Sequence, residues 1–325
     1  MFAWRCHQFG HYRDVLRWEE IPQPVATGST CVIRVAAAGV NFPDILNIAG
    51  KYQVKGSLPY IPGSEAVGTV VEAGPDSSYK PGDRVTGFSF GGGFAQYMQL
   101  AADFTFPTPS SIPDEHAAGF VITYHTSYFA LVLRAQLRPG ETLLVHGGAG
   151  GVGSTAIQLG KALGARVIAT AGGPDKVKAC LDFGADEAID YKAVDFAQEI
   201  LHRTGGRGAD VIYDPVGGDT FERSTKCIAF EGRLLVIGFT SGTIPTIAAN
   251  RILLKNISVV GLNWPNYVFH APHRLREAQD ALYQLYSAGK ISPQIHRIAP
   301  LTELPQALQD IEQRRVQGKI ILRPT

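Results

Sequence analysis

The chain has 325 residues, 45% of them hydrophobic, with 30 Lys+Arg against 29 Asp+Glu. It is long enough to bury a large core without disulfides, and its balanced charge gives no field that would draw in nucleic acid or an anionic membrane. Cys6, Cys31, Cys180 and Cys227 are scattered with no C-x-x-C pair, which argues against a stapled scaffold and for a reducing, cytoplasmic setting.

In chain order, Met1 to Glu20 carries His7, His11, Arg13 and Arg17 and no apolar run, so no signal peptide is expected. Thr30–Val40, Ala66–Glu72, Asp83–Gly87 and Phe94–Leu100 are β-branched or alternating runs. Pro62-Gly63, Gly74-Pro75 and Pro81-Gly82 punctuate them, which predicts an antiparallel domain, a small β-barrel. The apolar stretch Ala117–Leu133 is interrupted by Thr123, His125, Thr126 and Ser127 and reads as a buried helix rather than a membrane span.

From Pro139 the pattern becomes strand–helix alternation. Strands are expected at Leu143–His146, Arg166–Ala169, Glu187–Tyr191, Val211–Asp214, Leu234–Gly238 and Ser258–Leu262. Helices are expected at Gly153–Leu163, Lys176–Phe183, Phe196–Arg203 and Phe221–Ile228. Six strands with helical crossovers predict a doubly wound parallel sheet, so the fold class is α/β with a second, β-rich domain. The tail supplies helices at Leu275–Ala288 and Leu304–Arg315 and a strand at Lys319–Leu322. With the parallel sheet complete, this tail is expected to return to the first domain. The predicted division is 1–121 with 266–325, and 122–265.

The strand at Leu143–His146 runs into Gly147-Gly148-Ala149-Gly150-Gly151-Val152-Gly153, and a helix follows. Gly148, Gly150 and Gly153 match G-x-G-x-x-G in the strand–turn–helix context that a dinucleotide pyrophosphate needs, with Gly151 and Val152 between them. An NAD site usually has an acidic residue at the tip of the second strand. Here that tip reads Thr170-Ala171-Gly172-Gly173, and Lys176 and Lys178 follow. A small neutral tip leaves room for a 2′-phosphate that Lys176 would pair with, which favours NADPH. The alternative is that both lysines only solvate the first turn of a helix.

Across these segments the chain resembles the medium-chain dehydrogenase/reductase superfamily, and within it the zinc-free quinone oxidoreductases. The residues that carry the match are Gly39-Val40-Asn41-Phe42-Pro43-Asp44, Gly63-Ser64-Glu65-Ala66-Val67-Gly68 and Lys80-Pro81-Gly82-Asp83-Arg84-Val85. The glycine loop, Tyr213-Asp214-Pro215-Val216-Gly217-Gly218 and Gly318-Lys319-Ile320-Ile321-Leu322 extend it to nearly the full length. The resemblance implies a GroES-like β domain plus a Rossmann domain. Zinc enzymes of this superfamily place Cys where this chain has Asn41, and His where it has Ser64. Neither Asn nor Ser is a usual zinc ligand, so no metal is expected, and reduction of an electrophilic acceptor fits better than alcohol oxidation.

By the same resemblance, Lys176 and Tyr191 contact the 2′-phosphate, beside Ala171 and Gly172. Phe42, Thr126, Phe239 and Asn263, the last within Leu262–Trp264, lie along the nicotinamide half. Phe239 as core and Tyr191 as strand surface are the plainer alternatives. Asn41 and Tyr52 are the candidate hydrogen-bond donors, and a packed rim residue is the alternative for Tyr52. Three functions are compatible: an NADPH-dependent quinone or enone reductase, an enoyl-thioester reductase, and a non-catalytic NADPH-binding structural or RNA-binding protein. The Asn41 segment lacks the pattern of enoyl-thioester reductases, and the balanced charge disfavours RNA. The last parallel strand, Ser258–Leu262, is expected to be an open edge through which two copies form a homodimer.

Overall fold

In the computed structural model, which describes residues 1–53 and 56–324, the chain divides into two units. The first comprises Met1–Ile122, Val268–Gln279 and the chain from Ile295 onward; the second comprises Thr123–Tyr267 and Asp280–Gln294. In chain order the first unit supplies β1 (Phe2–Cys6), β2 (Leu16–Glu20), β3 (Thr30–Val40), β4 (Glu65–Ala73), β5 (Arg84–Phe88), β6 (Tyr97–Ala101) and β7 (Thr105–Pro107). The second supplies β8 (Thr142–Val145), β9 (Arg166–Ala171), β10 (Glu187–Asp190), β11 (Ala209–Asp214), β12 (Ile228–Val236) and β13 (Ser258–Gly261). The tail returns β14 (Ile295–Pro300) and β15 (Lys319–Arg323) to the first unit.

The first unit is built on β3, which pairs antiparallel with β4, β6 and β15 in a seven-stranded sheet whose main order is β14-β15-β3-β4-β5-β7. Its inward positions Ile33, Val35 and Val40 are buried with Val70, Val85, Met98, Leu100 and Ile320, so the β-branched runs legible in the sequence form the core. Four strands lie outside the runs that the sequence marks, the short β7 against β5 among them. β1 and β2 form a separate two-stranded sheet in which Trp4 faces Trp18, and their sequences, Phe2-Ala3-Trp4-Arg5-Cys6 and Leu16-Arg17-Trp18-Glu19-Glu20, show no clean alternation. β14 ends at Pro300 and, among the described residues, pairs only with β15.

The second unit is a six-stranded parallel sheet in the order β10-β9-β8-β11-β12-β13, the doubly wound arrangement. Its core gathers Leu144, Ile168, Ile189, Ile212 and Leu234 from successive strands. One expected strand moves: β12 begins at Ile228, right after the helix Gly218–Cys227, rather than near Leu234. Its early part includes Glu231 at φ 58°, and the pairing to β11 shifts register there, which hides the strand from a simple alternation test.

The apolar stretch at 117–133 is not one helix. Helix Asp114–Ala118 stops at Gly119, Val121–Tyr128 follows, and Phe129–Arg134 widens into a π-helix, where Ala135 N–H reaches Ala130 O at 2.8 Å. Among the described residues no helix is long and apolar enough to cross a membrane. All four cysteines are free and buried.

Candidate active site

Each unit carries one group of candidate residues. In the first, three neighbouring strands bring distant parts of the sequence together. Glu65 opens β4 opposite Gly39 of β3, while Ile320 of β15 lies opposite Val40. Lys319 therefore arrives beside Asn41, which follows β3 and caps the helix Phe42–Ile48, with Phe42 as that helix's first residue. Pro43 in the first turn needs no N–H partner, and Asp44 accepts the Asn41 N–H at 2.8 Å, so this helix starts where the sequence demands.

The polar side chains gathered here are buried: Asn41, Asp44, Ser64, Glu65 and Lys319 are each no more than 7% exposed. Lys319 Nζ donates to Glu65 Oε1 at 2.7 Å, to Asn41 Oδ1 at 2.7 Å and to Val40 O at 3.0 Å. Asn41 Nδ2 donates to Glu65 Oε1 at 2.9 Å and to Gly39 O at 3.3 Å, and Ile122 N–H donates to Glu65 Oε2 at 2.9 Å. Gly39 is required in this corner, because a Cβ there would lie 2.5 Å from Glu65 Oε1 and 2.4 Å from Ala118 O. Burial pushes the Asp44 carboxyl up to about 7 against the pull of the Asn41 N–H and the Lys319 charge. Burial, and then the Asp44 charge, raises Tyr52 above the ordinary phenol value, so Tyr52 stays an O–H donor at neutral pH.

This donor set does not fit zinc. Asn41 offers an amide, Ser64 a hydroxyl that lies 3.3 Å from Asp44 Oδ1, and an ammonium already occupies Glu65. Among the described residues no His, Cys, Asp or Glu group is arranged to hold a metal.

In the second unit the remaining candidates collect at the carboxyl ends of the parallel strands, the edge where open α/β sheets bind ligands. β8 leads into Gly147, and helix Gly151–Ala162 starts at Gly150 with no side chain capping it, so its first N–H groups face outward. A Cβ at Gly148 would lie 2.8 Å from both Ala169 Cβ and Cys180 Sγ, and one at Gly153 only 2.2 Å from Gly147 O. Val152 stands between them in the helix's first turn. Gly148 and Gly153 thus let strand, turn and helix pack closely, Gly150 meets nothing nearer than Gly147 O at 3.3 Å, and the uncapped helix start leaves backbone donors of the kind a pyrophosphate needs.

At the tip of β9, Ala171 is buried and Gly172 is covered: a Cβ on Gly172 would lie 2.7 Å from Tyr191 Oη and 3.0 Å from Lys192 Cε. Tyr191 is 40% exposed and projects over the tip from the end of β10. Lys176 sits in the first turn of the helix Pro174–Asp182, and Lys178 pairs with Asp182 at 2.6 Å. The nearby carboxylate, Asp190, turns into its own loop, accepting N–H from Gly173 and Lys192 at 3.0 Å each. Those two bonds, the Gly173 one foremost, hold its carboxyl below the ordinary range.

Phe239 follows β12, with Cδ1 3.0 Å from where a Cβ on Gly217 would stand, and Asn263 is exposed just past β13. Thr126 lies on the helix Val121–Tyr128, half-buried. Three residues at this edge were missed in the sequence. Lys192 follows Tyr191 directly, and that adjacency is the only signal it leaves. Asp214 is 1% exposed; its Oδ1 accepts N–H from Val216 and Gly217, and Oδ2 has no partner among the described residues. His146 is buried at the end of β8 between Thr170 Oγ1 at 2.9 Å and Ser224 Oγ at 2.8 Å, and burial pushes its pKa down to about 3.

Comparison with known proteins agrees with this layout. Residues 28–110 match the alcohol dehydrogenase GroES-like domain, and residues 151–283 match the zinc-binding dehydrogenase family. The quinone oxidoreductase-like protein 2 homolog of Nematostella vectensis is 40% identical over 299 residues, spanning 90% of this chain and 82% of that protein. The crystal structure of Escherichia coli quinone oxidoreductase complexed with NADPH superposes with a TM-score of 0.92 at 31% identity, covering all of both chains. The enoyl reductase CurK superposes with a TM-score of 0.89 at 25% identity, over 100% of this chain and 99% of that one.

Proposed function

Since the chain belongs to the quinone oxidoreductase family of medium-chain dehydrogenases/reductases, we propose that it is an NADPH-dependent reductase acting on a quinone or an α,β-unsaturated carbonyl without a metal. The observation that carries this reading is the Lys319–Glu65–Asn41 network, in which an ammonium already occupies the carboxylate and an amide stands where zinc relatives have a thiolate. With no Lewis acid to polarise an alcohol, the chemistry left is reduction of an acceptor that is already electrophilic.

When bound, NADPH supplies the hydride. Gly148, Gly150, Gly151, Val152 and Gly153 hold its pyrophosphate on the helix N-terminus, while Ala171, Gly172, Lys176 and Tyr191 receive the 2′-phosphate. Thr126, Phe239 and Asn263 border the nicotinamide end, and Asn41 and Phe42 keep the ligand-contacting roles that the resemblance implies. Tyr52, kept protonated, is the O–H donor for the negative charge that develops on the acceptor. Pairing of β13 with a second copy forms a homodimer: β13 is the sheet edge, and Phe230, Leu253 and Leu254 nearby are 68–75% exposed. A monomer by light scattering at micromolar concentration would remove that part. The buried free thiols suit the reducing cytoplasm.

The experiment is oxidation of NADPH and NADH by the purified enzyme with a panel of quinones, enones and enoyl thioesters, with and without chelator. Preference for NADPH, turnover of quinones or enones and indifference to chelator are expected. Chelator-sensitive alcohol oxidation would overturn the reading, and dominant enoyl-thioester turnover would move the chain toward the enoyl reductases that share its fold. An enolate needs a proton delivered, whereas a hydroquinone anion takes one from solvent. Tyr52→Phe should therefore cut enone turnover by about 10²–10⁴ and quinone turnover by less than about tenfold.

A further inference from the structure

The hydrogen bonds of the buried corner leave no freedom in the orientation of the Asn41 amide. An ammonium only donates and a carboxylate only accepts. The amide oxygen must therefore face Lys319 Nζ, 2.7 Å away, and the amide nitrogen must face Glu65 Oε1, 2.9 Å away. Turning the amide over would set N–H against N–H and oxygen against oxygen. Both hydrogens on Nδ2 are then spent, one on Glu65 and the other on Gly39 O at 3.3 Å. The ammonium is spent as well, with Val40 O, Asn41 Oδ1 and Glu65 Oε1 as its three acceptors. The one valence the amide keeps is the second lone pair of Oδ1.

We infer that Lys319 is a positioning residue that fixes Asn41 as a hydrogen-bond acceptor toward the bound ligand, so that Asn41 orients a ligand N–H or O–H or a held water and does not donate to the substrate's developing oxyanion. This rests on the reading above that Asn41 contacts the bound ligand. It reverses the role the sequence suggested for Asn41 and leaves Tyr52 and water as the donors. Stability alone is a weak reason for such a pair, because a buried ion pair is often replaced by apolar groups at no net cost. Lys319 lies 278 residues from Asn41 in the chain, and the register of β15 on β3 is what delivers it.

Two paired substitutions separate the roles. Asn41→Asp with Glu65→Gln keeps the net charge and leaves position 41 with oxygens and no donor: the new amide nitrogen at position 65 donates to position 41 and gives up the Lys319 bond, while Lys319 keeps Val40 O and the carboxylate now at position 41. This variant should keep kcat within about tenfold, whereas loss of a donor to an oxyanion costs about 10²–10³. Lys319→Met with Glu65→Gln removes both charges. It should lower kcat by about tenfold or more while the NADPH dissociation constant, read by fluorescence, moves less than about threefold, because misplacing reacting groups affects turnover before binding. A loss near 10³ in the first pair, or an unchanged kcat in the second, overturns the inference. Should the uncharged pair fail to fold, Lys319→Arg asks the same question. A planar guanidinium keeps the charge but cannot meet the three acceptors in the same geometry. Its kcat should fall at least about threefold with cofactor affinity held, and an unchanged kcat again overturns the inference. Asn41→Ala keeps this test distinct from the functional reading. If it behaves as wild type, the placement of Asn41 at the site is wrong; if it is impaired while the Lys319 variants are not, only the role of Lys319 fails.

Discussion

The two candidate regions are built on opposite plans. Where β15, β3 and β4 meet, polar and charged side chains are packed out of water and satisfy one another. In the glycine loop at the carboxyl edge of the parallel sheet the chain dispenses with side chains, and glycines let strand, turn and helix pack closely around an uncapped helix start. The first plan is vulnerable to losing a partner and the second to gaining an atom, and substitutions can test that asymmetry.

The largest effect is expected in the corner. Glu65→Leu leaves Lys319 charged, buried and without its carboxylate, and strips acceptors from Asn41 Nδ2 and the Ile122 N–H. Breaking a buried pair from one side costs roughly 3–5 kcal/mol, so denaturant unfolding should show a loss of that order. A loss under about 1 kcal/mol would mean that water or a moved side chain takes over, and the corner would not be the closed network described here. At the glycine loop the sign of the perturbation is reversed. Gly153→Ala puts a Cβ 2.2 Å from Gly147 O, a backbone atom that cannot step aside without reshaping the turn. NADPH affinity should fall by about a hundredfold, close to 2.7 kcal/mol. Gly150→Ala meets only Gly147 O at 3.3 Å and should disturb the loop far less. Equal losses would place the damage in the ligand's own space rather than in the turn.

The same contrast explains what the sequence revealed. The loop was legible because its requirements are local: Gly148, Gly150 and Gly153 act through their own backbone within one strand–turn–helix. The six parallel strands were legible for a similar reason, each being a short apolar run with its helix close behind. The corner was not, because its logic spans the chain. Asn41 and Glu65 are named by their motifs, but nothing near either one announces that Lys319 completes them. That follows only from the antiparallel register of β15 on β3. Local signals also misled at Ala117–Leu133, where a mostly apolar run conceals the break at Gly119, and at β12, where Glu231 in the left-handed region interrupts the alternation.

Acid and base should load the two regions in opposite directions. The His146 pKa near 3 lies below its ordinary value of 6.5, so the native state holds the ring neutral while the unfolded chain binds a proton. Stability from this group is complete above about 6.5 and is lost as pH falls toward 3, at about 1.4 kcal/mol per pH unit. Asp44 is raised from 3.8 to about 7, so its native state prefers the proton. Its contribution is complete below about 3.8 and is lost as pH rises through 7. Unfolding free energies measured across pH 4–8 should lose their acid-side slope in His146→Asn, and Asp44→Asn should gain stability relative to wild type as pH rises. Parallel profiles for all three proteins would count against both assignments.

The smallest effect is expected where charge is most exposed. Lys176 is half-buried in the first turn of its helix, so a 2′-phosphate there meets an ammonium and the helix N-terminus together. Lys192 lies in water at the end of β10, with its Cε 3.0 Å from where a Gly172 Cβ would be. Water and salt screen it more strongly, and it brings no helix with it. Lys176→Ala should lower the NADPH-over-NADH preference in kcat/KM by about ten- to a hundredfold, as expected for a charge-assisted hydrogen bond. Lys192→Ala should lower it by only about three- to tenfold, and that smaller loss should shrink further in high salt. NADH kinetics should stay unchanged in both variants, since neither side chain has a partner on a cofactor without the phosphate. If Lys192→Ala proves the more damaging, the phosphate lies over Tyr191 and the end of β10 rather than on the helix. If it changes nothing at any ionic strength, the Lys192 stem only covers Gly172, and recognition rests on Lys176 and Tyr191.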